Sequence, residues 1–437
     1  MGRSASCSRP KSPWSWCSLI GGPMARDFRV ILVGHAISPI RGSEPGVTWN
    51  WAWELSQHVP VEVFAFPQYR KEVEEHLAEN PNPRLKIRWV TLRGFDPWRP
   101  EKGERGIRLH YLLWLREAYK VIRELTASTD GPVVVHHVSW GSVSAPPSIP
   151  QGLAAVWGPV GGGQAAPWAF RGFFGREWLG EAVRAFRVKA LPYLPWWRQG
   201  VASVSRILVT NRETEVLLRK AGARNVLPFL DCGTPKGFGL SKPPNPKGER
   251  VSPLRLLWAG RLEARKALPL ALRALARLQV PVELWVAGDG PLRADWEAEA
   301  RRLGLEDRVR FFGRVPWVQM QELFRSTDAF IFTSLRDSFG CVVLEAMAFG
   351  LPVIVPDHQG VGTFVPNEAG IKVPVTTPED TIGGFARAIE HMALDQEARN
   401  RMALAAWRFA QEERWDKRAE RMLNIYEELL HDAHCHL

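Results

Sequence analysis

Two acids, Asp337 and Glu345, stand with seven residues between them in TSLRDSFGCVVLEAMAFGLPVIVP (333–356), the first in a loop, the second about one turn into the helix that follows. That spacing lets both face one cleft, with the helix N-terminus meeting a phosphate while Glu345 points at a ribose. A helix N-cap and an ordinary surface glutamate are the plainer reading of the same pair. Upstream, LRLLWAG runs into Gly260, Arg261 and, five residues beyond the arginine, Lys266. Arginine grips phosphate oxygens bidentately and lysine acts as a compact point charge, so this strand-to-helix loop reads as a phosphate clamp, against a merely solvated basic loop. VELWVAG ends at Gly288 and is followed by Asp289, Gly290 and Pro291. This tight turn admits a ligand to the backbone, although turn chemistry alone explains it equally. VRFFGRV (309–315) offers the backbone of Arg314 and Val315 beside a nucleotide base, again with a plain loop as the alternative.

Such residues work at the carboxyl ends of parallel strands, where loops lead into helix N-termini. The second half of the chain supplies those elements: strands LRLLWAG, VELWVAG, VRFFG, AFIFTS and PVIVP alternate with helical stretches at 268–278, 292–303, 320–325 and 342–349. The first half shows strands in FRVILVGHA from Phe28, VEVFAF (61–66) and VVVHHV (133–138), with helical periodicity at 49–59 and 110–126. Alternation of this kind predicts an α/β protein whose parallel sheets are covered on both faces. At 437 residues the chain exceeds one core, so two doubly wound, Rossmann-like domains facing each other across a cleft are expected. The Pro-, Gly- and Lys-rich stretch 236–250 marks a linker between domains at 24–235 and 251–412. Trp415, Ala419, Met422, Tyr426 and Leu429 recur at helical spacing, so 413–437 is read as a helix and tail crossing back to the first domain.

Apolar residues make up 45% and charged residues 24%, the proportions of an ordinary globular protein. The net charge of +11 is uneven: residues 1–250 hold 34 Lys and Arg against 20 Asp and Glu, and the remainder holds 23 against 26. The first half therefore faces something acidic, whether nucleic acid, an anionic membrane or a phosphorylated substrate, unless its basic surface serves solubility alone. Five cysteines without CxxC spacing suggest neither a zinc site nor a disulfide framework and fit a reducing cytoplasm. No run of 18 apolar residues argues for a membrane span, and residues 1–23 are read as a disordered extension outside the fold.

Taken in order, the set GR…RK, VAGDGP, FFGRV, TSLRDSFG..VLEAMA.GLPVI and a tail of TPED…YEELL resembles glycosyltransferase family 4, the retaining "group 1" type, in a bacterial polysaccharide branch. The resemblance runs from Leu254 to Leu430 and implies the GT-B fold. It implies that Glu345 binds the ribose, Arg261 and Lys266 the diphosphate, and the backbone around Phe339, Gly340, Cys341 and Val342 the sugar and phosphate. The family's paired acids are both glutamate, whereas the first here is Asp337; the charge is kept and the side chain is one methylene shorter.

The first half resembles the same family less densely. SPIRGSEPGVTWNWA (38–52) is similar to the glycine-bearing loop after the first strand, so Gly42 and Gly46 are expected to bring amides near donor phosphate or acceptor. Glu44 either touches the acceptor or caps the following helix. Family members place a histidine at the end of the strand matched by VVVHHVSWGS (133–142), which leaves His136 and His137 as candidates. Neighbouring strand residues point to opposite faces, so only one of the two can face the cleft. In VWGPVGGGQAAPW (156–168), Gly161 and Gly162 suit close approach of substrate, with an ordinary flexible loop as the alternative.

Nine aromatic and six basic residues crowd 168–200, a mixture that suits a membrane interface or, almost equally, core packing. The expectation is a cytoplasmic glycosyltransferase, at the inner face of the membrane, moving sugar from a nucleoside diphosphate sugar to a saccharide or lipid-linked acceptor. It is expected to need no metal or other cofactor, to bind no nucleic acid and to make peripheral contact with an anionic membrane. A non-catalytic sugar-binding scaffold and a nucleotide-sugar epimerase are the rival readings.

Overall fold

The computed structural model describes residues 26–98, 103, 105–150, 152–246 and 253–435. The extension 1–23 and the linker's end, 247–250, lie outside the described residues. Seven parallel strands make the first sheet: β1 (Arg29–Val33), β2 (Val61–Ala65), β3 (Leu85–Trp89), β4 (Val133–His137), β5 (Ala154–Val160), β6 (Arg206–Val209) and β7 (Val226–Pro228). Their order is β3-β2-β1-β4-β5-β6-β7. Six more make the second: β8 (Leu254–Ala259), β9 (Val282–Ala287), β10 (Val309–Gly313), β11 (Ala329–Ile331), β12 (Val353–Pro356) and β13 (Gly370–Val373), in the order β10-β9-β8-β11-β12-β13.

Strands such as β1 form because helices cover both faces of the sheet: Val30, Ile31, Leu32 and Val33 are all buried, so a continuous run of branched residues is stable there. In each sheet the strand order reverses once, between β1 and β4 in the first and between β8 and β11 in the second. Loops part at those points, leaving a crevice at the carboxyl ends of the strands. Both sets of candidate residues follow these strands.

The chain crosses between domains twice. Segment 229–234 leaves the first domain and segment 413–415 returns to it, and the two pair: Thr234 N donates to Glu413 O (3.2 Å) and Trp415 N to Thr234 O (3.0 Å). The helix Trp415–Cys435 then packs into the first domain's core, where Trp415, Ala419, Met422, Tyr426 and Leu429 lie with Trp51 and Phe229. Arg418 is fully buried at this crossing, its guanidinium 4.8 Å from the Phe229 ring centre and hydrogen-bonded to Glu413 (2.6 Å) and the Leu230 carbonyl. Residues 168–202 reach the other way. Phe170 and Phe174 are buried in the second domain's core, so part of the aromatic content of this stretch is core packing.

Candidate functional site

At the reversal of the second sheet, Lys266 after β8 meets Asp337 after β11. The Lys266 ammonium donates to Asp337 Oδ2, and Arg265 Nη1 lies 3.3 Å from the same oxygen. The segment before the helix Leu268–Leu275 is a short 3-10 turn, Ala264–Lys266, closed by Ala267 in the left-handed region (φ 46°). This turn delivers both cations to one carboxylate. Burial alone would raise the Asp337 carboxyl, but Lys266 and Arg265 overcome it and hold it below the usual carboxylate range. Arg261, by contrast, has a side chain 71% exposed and lies 3.7 Å from Glu263. Arg265, not Arg261, joins Lys266 at the Asp337 carboxylate, and Arg261 stands exposed beside Glu263.

The loop after Asp337 ends at Gly340 (φ 93°), which precedes the helix Cys341–Ala348. A side chain at Gly340 would press on the Phe332 ring, over which the Lys266 ammonium also sits at 5.4 Å. The N-terminus of the helix Cys341–Ala348 and the cation therefore share one support. Phe339 is buried, Val342 half-buried and Cys341 exposed at the helix start. Burial raises the Glu345 carboxyl, opposed by a hydrogen bond from the Trp317 indole at the end of the β10 loop. Arg314 is exposed and Val315 half-buried on that loop.

Gly260, Gly288 and Gly290 bring protein against protein. A side chain at Gly288 (φ 143°) would overlap the Gly260 carbonyl, and one at Gly290 would meet the Leu262 backbone. These glycines fit the loops after β8 and β9 together.

At the reversal of the first sheet, Glu44 after β1 meets the loop after β4: the Trp140 amide donates to Glu44 Oε1 (2.9 Å). Gly42, not Glu44, occupies the N-cap of the helix Ser43–Ser56, so the capping alternative is overturned. Burial pushes the Glu44 carboxyl up to about 7. Ser43 (φ 59°) and Trp140 (φ 40°) both adopt the left-handed region beside it, a strained arrangement of the kind concentrated at functional sites. Trp140 is fixed from behind by Tyr111, stacked with ring centres 4.1 Å apart. Gly42 is exposed with open space where a side chain would go, while a side chain at Gly46 would overlap the Arg41 carbonyl.

The two histidines do not behave as expected. His136 and His137 are both 0% exposed. His136 Nδ1 pairs with the Tyr426 hydroxyl (2.6 Å) and Nε2 with the Gly158 carbonyl (2.7 Å). His137 lies between the hydroxyls of Tyr119 (2.7 Å) and Tyr111 (3.2 Å). Burial lowers His136 to about 4 and His137 to about 3, so both rings are neutral framework groups and neither faces the cleft. Gly161 and Gly162 likewise spend their amides internally, on Gly141 O (2.7 Å) and Gln164 Oε1 (2.7 Å).

Gln359 (φ 54°) joins the two halves. Its Nε2 donates to Ala165 O (3.3 Å) and Leu335 O (3.1 Å), its Oε1 accepts from the Asp337 amide (2.8 Å), and its own amide donates to Glu213 (3.3 Å). Ser338 faces the first domain, where a side chain at Gly161 would touch it, and hydrogen-bonds the buried Asp231 carboxyl, pushed up to about 6 by burial. Arg336 reaches Glu181 at 2.8 Å. Arg265, Gln359, Ser338 and Asp231 were missed from sequence; only Arg265, beside Lys266, carried a readable signal. Among the described residues no group of three His, Cys, Asp or Glu is placed to hold a metal ion.

Residues 243–408 match the family described as glycosyl transferases group 1. A D-inositol 3-phosphate glycosyltransferase of Streptomyces bingchenggensis is 28% identical over 255 residues, 53% of this chain and 54% of that protein. The chain thus spans about half the length of the curated relatives it matches. Among solved structures, sucrose-phosphate synthase from Thermosynechococcus elongatus is similar over 92% of this chain and 99% of its own, with TM-score 0.61 and 17% identity. Anabaena HepE in complex with UDP-glucose covers the same shares at TM-score 0.53 and 16% identity. The fold is GT-B.

Proposed function

We propose, on the footing that residues 243–408 match glycosyl transferases group 1, that the chain is a retaining glycosyltransferase using a nucleoside diphosphate sugar. The acceptor is a hydroxyl of a growing polysaccharide or glycolipid, met in the cytoplasm at the inner face of the membrane. The observation that carries this reading is the ion pair at the second sheet's reversal: Asp337 is kept ionised by Lys266 and Arg265 beside the N-terminus of the helix Cys341–Ala348.

In the reaction, the bond from the sugar's anomeric carbon to the diphosphate oxygen breaks and its electron pair stays with the leaving group. The acceptor oxygen bonds to the same face of the sugar, and its proton passes to the departing phosphate oxygen. Lys266, Arg265 and the helix N-terminus lower the barrier by meeting charge as it grows on the diphosphate. Asp337 holds sugar hydroxyls, Glu345 the ribose, and Glu44 hydrogen-bonds the acceptor hydroxyl at the opposite crevice. HepE, crystallised with UDP-glucose, makes uridine the first donor base to try.

Nucleoside diphosphate release measured across UDP-, GDP- and ADP-sugars, with acceptor lipid extract present, is expected to single out one donor. Lys266→Ala should lower its kcat/KM by about 10²-fold, the usual scale for removing one preorganised charge. Calorimetry detecting no nucleoside diphosphate binding, or Lys266→Ala turning over at the wild-type rate, overturns the assignment.

A further inference from the structure

The helix Trp178–Ala190 turns apolar side chains to solvent and a carboxylate inward. Glu181 is buried, 7% exposed, bonded to Arg184 (2.9 Å) and Arg336 (2.8 Å). Leu179, Val183 and Phe186, at intervals of four and three, are 74%, 41% and 75% exposed. Residues so spaced fall on one stripe of a helix, here pointing into solvent. Arg187 and Lys189, both exposed, flank that stripe on opposite sides. Beyond the helix the surface continues through Tyr193 (67%), Leu194 (36%) and Trp196 (52%), with exposed Arg198. Trp196 also lines a groove of about 1230 Å³ with Arg116 and Arg123.

We propose that this face docks on an anionic lipid surface. An apolar stripe with cations along both borders matches a bilayer interface, where side chains enter the acyl boundary while Arg and Lys reach lipid phosphates and Tyr and Trp rings sit at headgroup level. A second protein surface would need matching acids at each of these cations, whereas an anionic bilayer presents phosphates across its whole face. The inward side of the same helix touches the donor loop through Arg336, which precedes Asp337. A docked bilayer therefore lies beside the cleft, and this face deepens the sugar-transfer reading by favouring a lipid-linked acceptor.

The full chain is mixed with vesicles of phosphatidylcholine, or of phosphatidylcholine with a quarter phosphatidylglycerol, and sedimented without donor, so vesicle binding and sugar transfer can fail independently. Binding is expected to the anionic vesicles alone, released by high salt as the Debye length shrinks. The double variant Leu179→Ser with Phe186→Ser should bind about tenfold or more weakly, losing two interface-entering side chains. Its melting temperature should stay unchanged, because both side chains already lie in water. Absent binding by the wild type, or equal binding by the double variant, overturns the proposal. So does a wild-type dimer that the double variant converts to monomer without any vesicle binding, which would give the face to a second copy.

Discussion

Glu44 sits where burial disfavours its charge. Burial raises its carboxyl from 4.5 to about 7, while its bond from the Trp140 amide needs only an acceptor oxygen, which glutamine also supplies. A carboxyl whose folded value is raised favours the folded state most below its unfolded value, and that contribution is lost as pH rises through the folded value. The wild type should accordingly lose roughly 2 kcal/mol between pH 4.5 and 7.5 through this group, after discount for the part of the side chain that meets solvent. Glu44→Gln should flatten that stretch of the profile in urea titrations, and an unaltered slope would remove Glu44 from the account. Asp337 is its opposite: equally enclosed, yet ionised, because two cations meet it. The two crevices thus shift their carboxyls in opposite directions although both are built on an acid at a strand-order reversal.

Among the elements, the last helix is joined to β4 through a buried hydroxyl. Tyr426 meets His136 at 2.6 Å in a region closed to water, so Tyr426→Phe leaves a neutral imidazole nitrogen without its partner. A loss of about 1–2 kcal/mol in unfolding free energy, measured by urea titration, is expected, with nucleoside diphosphate affinity unchanged. A weakened affinity instead would put His136 back in the site. That bond also explains why the histidines were misread. A strand-end histidine is visible locally, whereas a tyrosine 290 residues away that claims it is not. The strands were legible because burial on both faces demands runs of branched residues, as in β1 and β4. Lys266, Asp337 and Glu345 were legible as an ordered motif. Arg265 was passed over because the 3-10 turn Ala264–Lys266, which brings two successive cations to one acid, leaves no local signature in the sequence. Gln359 was unreadable, since its part depends on a left-handed backbone and on the other domain's carbonyl.

For the molecule as a whole, side-chain bonds beside the second sheet's reversal help set how the domains meet. Gln359 reaches Ala165 and Glu213, and Arg336 reaches Glu181, from the loops after β12 and β11. Gln359→Ala removes the amide side chain that reads the other domain's carbonyl. Solution scattering should then give a larger radius of gyration for the variant than for the wild type, and the difference should shrink on adding the donor's nucleoside diphosphate. Identical scattering curves would mean that buried contacts such as Phe170 and Phe174 in the second core set the separation by themselves.

Because the helix Trp415–Cys435 completes the core around Trp51 and Phe229, the amino-terminal half cannot finish folding while the ribosome is still making it. During synthesis the second sheet, whose strands all lie between residues 254 and 373, can close first. The earlier half waits with apolar surface uncovered until its last segment emerges. Order of assembly therefore runs against order of translation, and a nascent chain paused near residue 410 should be captured by chaperones through its beginning, not its end.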